Sequence, residues 1–290
     1  MSENDASAPP VVALVLSGGA ARGFAHVGVL QALEEREVRV DAIAGTSMGA
    51  ILGALYASGM DAGEIFDLAD RASWRDVIDL SLGSGVLKGD RLHEFLAELL
   101  PDRFEDLDRP LAVTTTDVEH GEERILMRGS LVDAVRASAS FPGAFEPVTW
   151  HGRTLADGGI VNNLPVAAAA LLGGEYVIAS DATPPRRAAY VRPHEEGPWW
   201  DRMVRTVRLE RRNPMVEMLL RSSDVMQAIL TDVQYTMHPA DLRIVLDRPE
   251  FRLESFREFE RIVAAGRDAA ERAFERLERE RPDRLPPTAR

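Results

Sequence analysis

The sequence predicts an α/β fold in which a largely parallel central sheet is flanked by helices and followed by a helical C-terminal region. Three observations predict it. VVALVL, residues 11–16, is a continuous apolar run of strand length, and a run without alternation suits a strand buried on both faces. From there to about residue 181 strand-like and helix-like segments alternate, the order that builds parallel α/β layers. Beyond Ala182, prolines and charged helical patterns take over. The simplest division is a disordered tail over 1–10, a core over 11–181, and a mostly helical extension or cap over 182–290 packed on the same domain.

The elements follow in order. Gly18 to Gly23 turn the chain after the first strand, and Val27, Leu30 and Leu33 then recur at helical spacing. VRVDAIAG reads as a second strand, and Ser47 to Ser58 as a small-residue helix closed by Gly59. Asp90 is placed to cap RLHEFLAELL. PLAVTTTDV pairs with EERILM through a His120-Gly121 turn, and LVDAVRASAS is a helix ended by Pro142. RTLADGG is a strand entering a tight turn, Asn162 or Asn163 caps a helix from Pro165, and EYVIASD is another strand. Two helical segments are expected from Trp200 to Asp232, with LRIVL as a last strand. An amphipathic helix from Glu254 to about Glu280 carries Phe256, Phe259, Ile262, Val263 and Phe274 as its apolar stripe.

Composition narrows the function. At 290 residues, 45% hydrophobic and 28% charged, the chain is typical of soluble globular proteins. It has no cysteine, which excludes disulfides, thiolate chemistry and cysteine-ligated metals. MSENDASAPP lacks a basic start and a long apolar run, so neither a signal peptide nor a membrane span is expected, and a cytoplasmic location is. A net charge of −13 opposes sequence-independent binding to nucleic acid or anionic lipid by the molecule as a whole. Residues 186–212 run against that balance, with eight arginines, four acids and the pair Trp199-Trp200. An interfacial helix touching the inner face of the membrane, or a charged helix packed over the core, fits this segment.

Two motifs carry chemistry. Gly45-Thr46-Ser47-Met48-Gly49 fits G-x-S-x-G between a strand and a helix, where flanking glycines allow a sharp turn that exposes a nucleophilic serine. The turn Gly18 to Gly23 offers consecutive N–H groups at a helix start, an anion site. With Asp41 after a second strand it approximates a dinucleotide fingerprint, although Ala20 replaces the middle glycine. If Ser47 is a nucleophile, the same turn holds an oxyanion instead. His238 would be the base in an α/β-hydrolase arrangement, but only 46 residues precede Ser47, too few for that fold. A carboxylate is therefore the candidate base, and Asp157 in LADGG, at a predicted strand end, is the most suggestive. An aspartate needs burial to become basic enough.

Taken together, GGAARG, GTSMG and DGG resemble the patatin-like phospholipase family, most closely its small bacterial members. The likeness runs from residue 12 to about 181 and continues through GDRLHEFL, PLAVTTTDVEHGE and ASASFPGAF. The resemblance implies a three-layer fold and a serine acyl-ester hydrolase of phospholipase A, lysophospholipase or carboxylesterase type, acting on acyl lipid and needing no cofactor or metal. It implies Ser47 and Asp157 as a catalytic dyad, with Gly45, Gly49, Gly158 and Gly159 as motif glycines. The oxyanion hole falls in Gly18, Gly19, Ala20, Arg22 and Gly23, with Gly19 and Ala20 as the N–H donors provided Ala20 keeps φ below zero. A dinucleotide-binding oxidoreductase and a non-catalytic regulatory protein on the same fold are the alternatives. His26, Asp117, Ser138 and Ser140 are expected to serve structure: a histidine bonded to a carbonyl, a hairpin acid, and packing or capping serines.

Overall fold

The computed structural model describes residues 9–72, 89–142, 144–183, 214–253 and 255–288. Its centre is an eight-stranded sheet in the order β5-β6-β3-β2-β1-β7-β8, with β4 on the remaining side of β3. The strands are β1 (Val12–Leu16), β2 (Ala42–Thr46), β3 (Leu111–Asp117), β4 (Glu122–Leu126), β5 (Val148–Trp150), β6 (Arg153–Asp157), β7 (Tyr176–Asp181) and β8 (Leu242–Val245). Strands β1, β2, β3, β7 and β8 are parallel, and β4, β5 and β6 join antiparallel. The helices are α1 (Ala25–Glu35), α2 (Met48–Ala57), α3 (Ala62–Arg71), α4 (Asp90–Leu99), α5 (Leu131–Ser138), α6 (Val166–Leu171), α7 (Pro214–Met237) and α8 (Phe259–Glu280).

The two sheet faces differ in bulk, and this follows from side-chain alternation along each strand. Val12, Leu14, Leu16, Ile43, Leu111 and Val113 point into the larger core, shared with α1, α2, α3, α5 and α8. Ala13, Ala44, Ala112 and Ala179 point the other way, where the alanine-rich helix α6 lies over them. Small residues on both partners permit that close approach. The three layers are those expected, and the strands without alternation in hydrophobicity are the ones buried on both faces.

Several local expectations are corrected. Gly89, in the left-handed region at φ 74°, occupies the cap position of α4, and Asp90 is its first residue, where its charge favours the helix dipole. Neither asparagine caps α6, whose cap position is Pro165 without a side-chain bond. The short strand β5, paired to β6 through His151-Gly152, was not anticipated. Phe256 lies in a 3-10 turn ahead of α8. The tail 1–8, Trp199, Trp200 and the arginine-rich segment 186–212 lie outside the described residues.

The C-terminal helix is tied to the first one by a reciprocal glycine contact. A Cβ at Gly28 of α1 would fall on the Val263 carbonyl and within 2.6 Å of the Arg267 nitrogen, and a Cβ at Gly266 of α8 would fall on the Ala25 carbonyl. The backbones therefore touch. Beside this contact Phe24 meets Phe256 and Phe259 edge-on, at ring separations of 5.9 and 5.0 Å. An alanine at Gly28 or Gly266 gains about 1 kcal/mol of helix propensity, and overpacking costs about 1–3 kcal/mol or more where backbone is the obstacle. Gly28→Ala and Gly266→Ala should each lower the urea midpoint by more than exposed Gly63→Ala does; equal midpoints for all three would refute the contact.

Candidate active site

The register of β3 explains why two distant segments meet. Strand β2 pairs with Leu111 to Thr114, and β6 pairs with Thr115 to Asp117. Strand β4 pairs with Val113 to Asp117, overlapping both, so β2 and β6 must share the opposite edge of β3. They run toward each other along that edge, and their C-terminal residues Thr46 and Asp157 face the adjacent Thr114 and Thr115. Ser47 and Asp157 thus stand at the junction of two strand ends.

Ser47 leaves β2 at φ 54° and ψ −121°, a conformation that costs a non-glycine residue roughly 1–3 kcal/mol. Its carbonyl accepts the first bonds of α2, from Ala50 and Ile51 N–H at 2.9 and 3.1 Å, and its side chain makes no cap bond. The flanking glycines let α2 fold back onto the sheet. A Cβ at Gly45 would lie 2.8 Å from the Ala50 Cα, and one at Gly49 would lie 2.5 Å from the Ser17 carbonyl oxygen. Ser47 is half-buried in otherwise buried surroundings.

Asp157 is buried and accepts the Gly159 N–H at 2.8 Å. Burial raises its pKa to about 6, against the opposing pull of the Gly159 amide and the nearby Ser47 side chain. Gly158 fits against the Thr114 carbonyl, where a Cβ would collide. At Gly159 a Cβ would crowd the Gln227 amide nitrogen at 2.8 Å and Asn163 Oδ1 at 2.9 Å.

The glycine turn borders this pair. A Cβ at Gly18 would sit 3.2 Å from the Ser47 Cβ, and one at Gly23 would lie 2.7 Å from the Met48 Cβ. Most amides of the turn are committed: Gly18 N–H to Asn163 O at 3.0 Å, Ala21 N–H to Leu253 O at 3.1 Å, and Arg22 N–H to Gly19 O at 3.0 Å. The N–H groups of Gly19 and Ala20 have no hydrogen-bond partner among the described residues. The condition set for Ala20 fails, however, since its φ is 45°. This alanine, the first residue of the 3-10 turn Ala20–Phe24, adopts a conformation suited to glycine.

The side chains predicted for the site part company. Arg22 is buried and turns away, its Nε donating to the Ala182 carbonyl at 3.2 Å and its guanidinium pairing with Asp224 of α7 at 3.4 Å. His26 is fully buried, with Nε2 on the Ser17 carbonyl at 2.8 Å and Nδ1 on Ser180 Oγ at 2.7 Å. Burial lowers its pKa to about 4, so the neutral ring donates to the carbonyl and accepts from the hydroxyl. Asp117 collects Arg153 at 2.6 Å, His120 at 3.0 Å and the hairpin amides, and these bonds hold its carboxyl well below the usual range. His238 is exposed near Glu123. Asp41 precedes β2, where it accepts the Val12 N–H at 2.8 Å. It therefore lies at the opposite end of the parallel strands from the glycine turn, the wrong end for the ribose contact of a dinucleotide site.

Asn163 is the residue whose part the sequence did not reveal. Its carbonyl accepts Gly18 N–H, and its amide donates to the Gly18 carbonyl at 3.3 Å and to Thr183 Oγ1 at 2.8 Å. It clamps the turn against the end of β7. Asn162 donates to Glu123 at 2.9 Å and accepts Thr46 Oγ1 on its carbonyl at 3.1 Å. The only local signal was a pair of asparagines before a proline, which reads equally as a cap.

Residues 14–170, more than half of the chain, match the family model described as Patatin-like phospholipase. An uncharacterized NTE family protein of Mycobacterium tuberculosis is 37% identical over 211 residues, covering 69% of this chain and 57% of the relative. Lysophospholipase NTE1 of Yarrowia lipolytica is 34% identical over 59% of this chain and 12% of its own length. Human patatin-like phospholipase domain-containing protein 6 is 38% identical over 59% of this chain and 13% of its own. The chain thus spans little more than half the length of its bacterial relatives and a small part of the eukaryotic ones. Among solved structures, VipD from Legionella pneumophila shares the fold, with a TM-score of 0.55 at 16% identity over 95% of this chain and 69% of that one. By sequence model and by relatives, this chain belongs to the patatin-like phospholipase family.

Proposed function

We propose that the protein is a serine acyl-ester hydrolase acting on phospholipid, lysophospholipid or a related acyl ester, with Ser47 as nucleophile and Asp157 as base. The observation that carries this reading is the meeting of Ser47 and a buried Asp157 at the two strand ends that face Thr114 and Thr115, where burial raises the carboxyl's pKa to about 6. An ordinary carboxylate is too weak to take a serine proton near neutrality; this one is better matched. The names of the fungal and human relatives support a lipid ester as the substrate class.

The proposed steps are these. The Ser47 Oγ adds to the ester carbonyl carbon while Asp157 accepts the hydroxyl proton. The carbonyl electron pair moves onto oxygen, where the Gly19 N–H and, in spite of its left-handed backbone, the Ala20 N–H stabilise it; neither has a partner among the described residues, and the N-terminus of α2 adds to the field. Collapse breaks the bond to the alcohol, which leaves with the proton held by Asp157. Water then repeats the sequence on the acyl-serine and frees the fatty acid. Gly18, Arg22 and Gly23 shape the turn in this scheme, and Asn163 fixes its position.

Ser47→Ala should abolish both esterase activity on p-nitrophenyl esters and labelling by a fluorophosphonate; retention of either at parental level would end the assignment. Asp157→Asn should reduce kcat at least 100-fold, and the parent's kcat/KM should rise with pH through about 6 and then level off. The same substitution should stabilise the fold at pH 7. The folded pKa of about 6 exceeds the unfolded value of 3.8, so the folded state loses stability as pH rises from 3.8 to 6. Above pH 6 that loss is about 3 kcal/mol, and the amide escapes it. A melting temperature for Asp157→Asn below the parent's at pH 7 would contradict this account of the buried carboxyl.

Ala20→Gly relieves a left-handed alanine while keeping the N–H, and should hold activity within about threefold and change stability by no more than about +1 kcal/mol. A marked loss of stability in that variant would show that the methyl group is needed.

A further inference from the structure

We propose that Ser138, at the C-terminal end of α5, is a positioning residue that sets the nucleophile's geometry by inserting its hydroxyl into the β2–β3 ladder; this rests on the reading of Ser47 and Asp157 given above. The ladder gives the frame. Ile43 donates to the Pro110 carbonyl at 2.9 Å, and the register runs unbroken to Thr46 opposite Thr114. Equivalent rungs of a parallel ladder recur every two residues. The rung due at the end of β2 is therefore Ser47 N–H to the Thr114 carbonyl.

That rung is occupied by a side chain. Ser47 N–H donates to Ser138 Oγ at 2.8 Å, and Ser138 Oγ donates to the Thr114 carbonyl at 2.6 Å. One hydroxyl thus accepts from the strand that is leaving and donates to the strand that stays. The ladder is opened by the width of that oxygen at the residue where the backbone swings to φ 54°. Without the bridge, a buried amide and carbonyl would be left to find each other directly, drawing Ser47 back toward β3.

The same short segment reaches the other member of the pair. Asp157 N–H donates to the Ser140 carbonyl at 3.0 Å, and Ser140 Oγ is tied back to the Arg136 carbonyl at 2.9 Å. Ser138 to Ser140 therefore fastens both strand ends where they face each other across the Thr114 carbonyl. Ser138 is fully buried, so it acts by holding Ser47 against the Thr114 carbonyl and not by touching substrate.

In the full chain, Ser138→Ala should lower kcat on a p-nitrophenyl ester about 10- to 100-fold, the scale set by a displacement near 1 Å. KM should stay within about twofold, and fluorophosphonate labelling should slow by the same factor as kcat, at a temperature where circular dichroism shows a folded protein. Ser138→Thr keeps a hydroxyl in place and should recover most of the rate. If the alanine variant does not fold, Ser138→Cys preserves size with a weaker hydrogen bond and should show the same loss. Turnover and labelling within threefold of the parent in the alanine or cysteine variant would overturn the proposal, as would a loss expressed entirely in KM. Retention of turnover by Ser47→Ala is a separate result, which removes the hydrolase reading and this inference with it.

Discussion

Two strands that approach each other head-on along one edge of β3 are the constraint on which this architecture turns. Neither β2 nor β6 can run further without colliding, so each must leave the sheet at the same place. Each exit demands unusual backbone: Ser47 in a left-handed conformation, and two consecutive glycines after Asp157 to pass the Thr114 carbonyl. The polar groups stranded by those exits find partners in Ser138, Ser140 and Gly159 rather than in ladder rungs. Chemistry is then available where sheet pairing fails, because side chains at a broken edge are neither stacked nor capped.

The surrounding structure bears the cost of this arrangement. Ser47 and Ala20 hold left-handed backbones, and Asp157 is buried with its proton affinity raised. Each destabilises the fold by an amount on the order of 1–3 kcal/mol. Against them stands a core in which α1, α2 and α8 cover the bulky sheet face and the α1–α8 crossing is close enough to exclude a Cβ at Gly28 and at Gly266. Beneath the glycine turn His26 is held between Ser17 and Ser180, and Asn163 between Gly18 and Thr183. A rigid floor lets a strained turn keep two amides without partners among the described residues.

Residues fared differently as predictors according to how local their signal was. The serine elbow was legible because glycines at both flanks, a strand before and a helix after are all adjacent in the chain. Asp157 could be named but not understood, since Asp-Gly-Gly is also an ordinary turn, and its basicity depends on burial by β3 and its neighbours. Asn163 and Ser138 read as caps because a short polar side chain near a helix end has that use most often. Their partners, Gly18 and Ser47, are about 145 and 91 residues away. The acidic fingerprint residue Asp41 was misleading for the same reason: spacing from the glycine turn does not say at which end of the sheet a side chain will lie.

The sequence by itself determined the alternation of strands and helices, the doubly buried strands, the family and the positions of the three motifs. These depend on hydrophobic periodicity and on residues a few places apart. Only the tertiary structure decided that β6 runs antiparallel and meets β2 end to end, that Ala20 is left-handed, and which amides of the glycine turn have no partner among the described residues. Each of those outcomes depends on which carbonyl or side chain from a remote segment reaches a given backbone group first. Hydrogen-bond competition of that kind is settled by packing and leaves no periodic trace in the chain.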